Sequence, residues 1–475
     1  MDKNKSKKVF KCIIAFLVII LLFKAYSIYS GIKAIQAIGS MSLQYVMDHH
    51  EKTDPNTFPE FAKKFRVNDN LKNDLFQFYA HCRSSSTVYN KEDKEKYNDA
   101  FQKLKSKTNY NIDSFKNELV PTIISFMDQN KSFSYPTFEE SKSLASPPDS
   151  NSIENTSEYW IFISRLFEEK NDYYSSLVLL HGIFYLLKDY QTKFKNNLKP
   201  ISEYYIVEIA FKGIIEWASK PKPQHIALSQ KIANDILDLV NSEYAFSKII
   251  EYRKSNFIEI VDYCINRELH YSSFLKGLKE SKKFNDLLNS MYDEPLKFAD
   301  KPLYEINDYL QKFTVKEKEN YKFIKIAVKG YFGPLNLNFL LFPQRTQDEY
   351  IYYKHSLHFD LMKKAYEQKL AEMEMAAIAL VINAYYCEKG ALPNNMEELS
   401  KWFGRDLPND RLTNKAYDLK DKFDTLHNSG VFPMFPLNYL YEDEKKEKKQ
   451  KNDDDDLLDI NMNDLKRSFY FNFKK

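Results

Sequence analysis

The chain has 475 residues, 43% apolar and 28% charged, with a mean hydropathy of −0.55. That length can bury a sizeable core divided among two or three sub-domains, and that hydropathy excludes a protein crossing a membrane many times. A net charge of +3 with acids and bases interleaved excludes the concentrated basic face that nucleic acid requires, so no nucleic-acid partner is expected.

Only ten glycines are present, where an average composition would supply about 7%. Tight βα turns, phosphate-cradling loops and β-rich folds all use glycine, so the scarcity points to helices. The abundance of Lys, Asn, Ile, Tyr and Phe fits an AT-rich bacterial genome, which weakens arguments from Lys or Tyr counts. Four cysteines, Cys12, Cys82, Cys264 and Cys387, are too widely spaced for a zinc cluster or a disulfide framework. Buried free thiols are the expected state of the last three.

Residues 12–23 are uninterrupted apolar sequence, flanked by Lys11 and Lys24. A bilayer needs about 20 apolar residues, and residues 9–30 reach that length if the flanking lysines extend toward the headgroups. Tyr26 and Tyr29 then lie at the far interface, which favours such rings. Lys3, Lys5, Lys7, Lys8 and Lys11 precede the run with Asp2 as the one acid among them. Only Lys24 and Lys33 follow it before Asp48 and Glu51. The positive-inside rule therefore places residues 1–8 in the cytoplasm, residues 9–30 as a signal anchor, and the bulk outside. The rival reading is a cleaved signal peptide with Ala25-Tyr26-Ser27 as its cleavage site, which leaves the bulk on the same side.

Beyond the anchor, residues 31–140 read as several helices, interrupted by Pro55, Pro59, Pro121 and Pro136. Ile32, Ile35, Ile38 and Met41 continue the helical spacing directly after the span. Residues 141–157, with Pro147-Pro148 among Ser and Asn, read as a linker or exposed loop. Residues 158–330 form the main helical domain. Trp160, Ile163 and Phe167 trace one apolar face, Leu177, Leu180, Phe184 and Leu187 a second, and Ile206, Ile209, Ile214 and Trp217 a third. Pro221 and Pro223 end the third. Further helices are expected near 225–241, 243–265, 268–291 and 302–328, with a connector at 331–345. A long helix then spans about 346–389, stopped by Gly390 and Pro393. Asn395 and Glu398 suggest a capping box for a short helix, 395–403, stopped by Gly404. Short strands are expected near 417–419, 438–441 and 468–473, and the charge block before the last is a solvated loop. The expected class is mainly α: a transmembrane helix, a multi-helical ectodomain, and a small α+β unit within residues 346–475.

Residues about 376–419 carry a resemblance. A long helix, Gly390, Pro393, Glu398-Leu399, Pro408, Asp410 and Tyr417 follow the order found after the long helix of major pseudopilins of type II secretion. That unit also closes a group of uncharacterised membrane-anchored bacterial proteins, and FPQRTQDEY at 342–350 resembles the connector before their last long helix. More than 300 residues separate the apolar run from the unit, whereas pseudopilins join the two directly, so the chain resembles the anchored group more. Asp453–Asp456 stand where pseudopilins can hold calcium, but lack the ligand spacing of a known calcium loop. The resemblance implies location and architecture but no reaction.

Candidate chemistry is sparse. His355 and His358, three apart on the long helix, could ligate a metal with Asp348 or Asp360, although a plain surface pair is the commoner outcome. His49 and His50 are adjacent and diverge on a helix. His81-Cys82 imitates a dyad, but nucleophile and base are rarely sequence neighbours. No catalytic residue and no cofactor is assigned. The sequence is expected to encode an envelope protein of the bacterial cytoplasmic membrane that works through a protein partner. A pseudopilus-like accessory component and a hydrolase with a dispersed site are the alternatives.

Overall fold

Charged and apolar residues alternate along this chain at helical spacing, and helices are what form. The structure, a computed structural model, describes scattered positions between Ile14 and Tyr29 and, with short gaps, residues 91–312, 359–414, 431–434 and 469–472. The described structure is mainly α. Contacts divide the chain into two units. The first is Met1–Glu51, Ala245–Lys301 and Ile306–Met362; the second is Lys52–Tyr244, Pro302–Glu305 and Lys363–Lys475.

The second unit contains α1 (Lys91–Ser106) and α2, which runs through Ile112–Ser114, Phe115–Leu119 and Val120–Gln129. Next come α3 (Ser150–Glu169), α4 (Tyr173–Lys193), α5 (Pro200–Ala218) and α6 (Ile226–Asn241). The expected break at Pro121 does not occur. Phe115–Leu119 is a π turn in which the Val120 N–H reaches back to the Phe115 carbonyl. Proline lacks an N–H and crowds the carbonyl four residues before it; a wider turn directly upstream accommodates both defects. The expected linker is also corrected in part: residues 150–157 are the first two turns of α3, with Ile153, Thr156 and Ser157 buried.

Helices α3, α4 and α5 pack on one another, and α2 and α6 pack on α4. All eleven residues assigned to the three apolar faces in the sequence are buried. The turn between α3 and α4 is closed by Asn171 at φ 60°, with the Asp172 N–H bonded to the Phe167 carbonyl at 2.9 Å. Asn tolerates that left-handed conformation better than most residues. Close helix approach depends on Gly182 of α4, where an added Cβ would stand 2.7 Å from Ile123 Cγ2 and 3.1 Å from Trp160 Cζ3.

The first unit contains α7 (Phe246–Asn266), α8 (Ser272–Lys279) and α9 (Lys282–Leu288). The chain continues from α9 through a second π turn, Asn289–Asp293, into Glu294–Leu296. Pro295 again follows two residues after the wide turn. Phe257 binds the group, with ring centroids 6.1 Å from Phe284 and 6.2 Å from Tyr292. Lys254 holds Asp293 at 2.5 Å.

Helix α10 (Phe359–Lys389) contributes its first turn to the first unit and the remainder to the second. Its 31 residues span about 46 Å. It is long and apolar enough to cross a membrane, yet every residue from Ala365 to Tyr385 is buried within the protein. It is a core helix. Gly390 at φ 71° stops it, and its N–H bonds the Tyr386 carbonyl at 2.9 Å. Helix α11 (Met396–Phe403) starts at Asn395, whose side chain accepts the Glu398 N–H at 2.8 Å, and ends at Gly404, φ 76°. The capping box is displaced by one residue: the Glu398 carboxylate accepts the N–H of Asn394, not of Asn395. Val431–Met434 pairs antiparallel with Phe469–Asn472, Val431 opposite Asn472 and Met434 opposite Phe469. The strands expected near 417–419 and 438–441 lie outside the described residues, as do Pro55, Pro59, Pro136 and the block before residue 457.

Gly182→Ala gains about 1 kcal/mol of helix propensity but forces Ile123 and Trp160 apart, a strain of about 1–3 kcal/mol. A lowered denaturation midpoint is expected; a raised one would show that both side chains yield freely.

Candidate functional site

The most unusual chemistry among the described residues is charge buried in the second unit. Lys188 stands on α4, Glu203 on α5, Glu243 just beyond α6, and Lys369 on α10. None of the four side chains is more than 2% exposed. Lys369 Nζ lies 3.0 Å from Glu203 Oε2 and 3.3 Å from Glu243 Oε2, and Lys188 Nζ lies 2.7 Å from the same Glu243 oxygen. Tyr135 donates its hydroxyl to the other Glu243 oxygen at 3.1 Å and itself accepts from Lys188. Two cations meet two anions, so the cluster is neutral as a whole.

Local sequence puts each group there. Lys188 follows Phe184 by one helical turn, on the apolar face of α4. Glu203 precedes Ile206 and Val207 by one turn of α5. Burial opposes the charge on Lys369, but the Glu203 and Glu243 carboxylates outweigh it and hold the ammonium above its ordinary pKa. Burial likewise pushes Glu243 up, and Lys369 and Lys188 more than reverse the push. Lys188 is held below its ordinary value by burial and by the neighbouring Lys369. Burial and the nearby carboxylates raise the Tyr135 phenol, so it stays a neutral donor.

Two further polar groups surround α10. Arg411 Nε binds Glu374 Oε1 at 2.8 Å, its Nη1 reaches Glu367 Oε2 at 3.5 Å, and Lys363 also donates to Glu367. Burial lifts Glu374 to about 7 against the pull of Arg411. At the other end, the carbonyls left open where α5 stops are closed by side chains. The Lys222 ammonium donates to the Trp217 and Lys220 carbonyls, and Asn383 Nδ2 to those of Ala218 and Lys220 at 2.7 Å each. Cations and donors at a helix C-terminus complement its dipole. Lys222 sits 4.4 Å over the Trp217 ring and 4.8 Å over the Tyr173 ring, and burial lowers its pKa to about 8. Cys387 accepts the Lys222 backbone N–H at 3.1 Å, and burial raises its thiol, the opposite of what an attacking thiolate needs.

Chemically, these groups neutralise one another inside the core; the arrangement holds charge in place and presents no activated nucleophile. Sequence reasoning passed over Lys188, Glu203 and Lys369, though a charge at a position where helical periodicity demands an apolar side chain was a readable signal. Of the proposed metal set, His355, His358 and Asp348 lie outside the described residues, as do His49, His50, His81 and Cys82. Asp360 is described and buried at the start of α10. Among the described residues no cluster of three His, Cys, Asp or Glu could hold a metal ion. No protein-family model, curated protein or solved structure matches this chain.

Glu243→Gln leaves Lys188 and Lys369 with one fewer buried counter-charge, and a loss of about 3–5 kcal/mol in equilibrium denaturation is expected. A loss under about 1 kcal/mol would mean water reaches the cluster. His181 of α4, fully buried against Tyr185, has its pKa lowered to about 3 by burial. Its folded value lies below the unfolded value near 6.5, so its contribution is intact above that pH. It is lost at about 1.4 kcal/mol per unit as pH falls from 6.5 toward 3. The stability difference between the natural chain and His181→Leu should therefore be flat above pH 6.5 and shift against histidine below it.

Proposed function

We propose that this chain is a single-pass protein of a bacterial cytoplasmic membrane, with its N-terminus in the cytoplasm, whose helical body acts outside through contacts with other proteins. The observation that carries the reading is the exposure of its N-terminal apolar helix. Ile14, Phe16, Val18, Ile19, Ile20, Leu22, Tyr26 and Tyr29 are helical and between 45% and 72% exposed. At about 100° per residue these positions spread over about 240° of the helix surface. A helix docked on a core buries its apolar stripe; an apolar helix exposed over so wide an arc has lipid as its natural solvent. The lysine asymmetry of residues 3–33 supplies the direction. The buried, self-neutralised charges of the second unit favour a structural body over a catalytic one.

A second reading, an accessory component of a pseudopilus-like secretion assembly, draws support from the passage out of α10. The pattern is Gly390 and Pro393 after the long helix, Glu398-Leu399 in the short one, then Pro408, Asp410 and Tyr417.

Full-length protein should sediment with membranes after carbonate extraction, and removal of residues 1–30 should release it. An export-dependent phosphatase fused at the C-terminus should be active. Soluble full-length protein would end the anchor reading, and an inactive fusion the outward orientation. Cross-linking in native membranes that recovers secretion-apparatus proteins would select the second reading; a freely diffusing solitary protein would reject it.

A further inference from the structure

Helix α10 poses a problem for any chain that is threaded through a membrane before folding. Residues 375–387 carry no charge, and from Met375 to Val381 every side chain is apolar. Thirteen such residues are too few to span, since about 20 are needed. Extending the run backward to residue 368 supplies the length, and the added stretch contains three charges: Lys369, Glu372 and Glu374.

In the folded unit all three are buried and each has a partner. Lys369 lies between Glu203 and Glu243, Glu372 accepts from Gln368 at 3.0 Å, and Glu374 is held by Arg411. Stability alone does not require them, because buried ion pairs are often replaceable by apolar residues of similar volume with no loss of stability. The partners of Lys369 and Glu374 lie elsewhere in the chain, at positions 203, 243 and 411, and are brought to α10 by folding, whereas that of Glu372 is one turn away on α10 itself. In an extended chain in transit the distant partners are absent, and the three charges, all in the first third of the stretch 368–387, oppose its retention in lipid.

We propose that Lys369, Glu372 and Glu374 keep α10 from lodging as a second membrane span while the chain is exported, and that Glu203 and Glu243 make Lys369 tolerable, and Arg411 Glu374, once the body folds. The inference rests on the outward orientation proposed above. Retention of α10 would return residues 390–475 to the cytoplasmic side, so the position of the C-terminus reports it.

The test is the full chain with a C-terminal export-dependent phosphatase, together with protease added outside intact cells. Three versions are compared: the natural sequence, Lys369→Leu with Glu372→Leu and Glu374→Leu, and Lys188→Met with Glu243→Gln. The last pair disturbs the same ion cluster without changing α10. The natural chain and the Lys188/Glu243 variant should show an active, protease-accessible C-terminus, even if the latter is unstable. The triple variant should lose phosphatase activity and gain protection of residues 390–475. A triple variant whose C-terminus stays outside overturns the proposal, as does loss of export in the Lys188/Glu243 variant, which would assign the effect to misfolding. A natural chain whose C-terminus is inside removes the orientation reading itself, and this inference with it.

Discussion

A charge buried in protein must be matched where it lies, and Lys369 imposes that requirement on most of the second unit. At an effective dielectric near 20, a pair about 3 Å apart gains roughly 5 kcal/mol in Coulomb energy. Removing each ion from water costs several kcal/mol, so the cluster as a whole contributes little net stability. What it contributes is register. Turning α10 by one residue rotates Lys369 about 100° from Glu203 and Glu243, stranding Lys369 and Glu203 while Glu243 keeps Lys188. Side chains from α4, α5 and α10, with Tyr135 and Glu243 from outside the helices, converge on that one point, so elements far apart in sequence are held to a single alignment.

The same logic explains how so apolar a helix is buried within the protein. The C-terminal half of α10 is closed by hydrophobic contact; its N-terminal half is closed by ions. Around its exit, Asn383 and Lys222 saturate the carbonyls at the end of α5, so two helix ends share one set of donors. The tie between α5 and α10 at residues 218–222 and 383–387 therefore consists largely of polar bonds, which are directional where apolar packing is permissive.

Much of the helical architecture was legible in the residues. The faces through Trp160, Leu180 and Ile209, the stop at Gly390 and the Asn395 cap each follow from periodicity or backbone chemistry. Three things were not. Residues 150–157 look like a loop because Ser and Asn suit loops and helix starts alike, and only packing decides between them. Pro121 looks like a break because the compensating π turn has no signature of its own. The buried ions were visible as misplaced charges, but their pairing spans more than 160 residues between Glu203 and Lys369, and no local rule links them. Helix α10 is ambiguous in composition for the opposite reason: length and hydropathy describe a membrane span and a core helix equally.

The two π turns, at Phe115–Leu119 and Asn289–Asp293, each hold one residue more than an α-helical turn would. Such a turn absorbs an inserted residue while the helix on either side keeps its own buried stripe, Leu119 with Ile123 in one case and Tyr292 with Pro295 in the other. A proline two positions downstream then makes reversion to a regular helix unfavourable, since it cannot supply the bond that the narrower turn would require. These sites are therefore length-tolerant joints: places where the chain can differ by one residue among related sequences without re-registering the core around them.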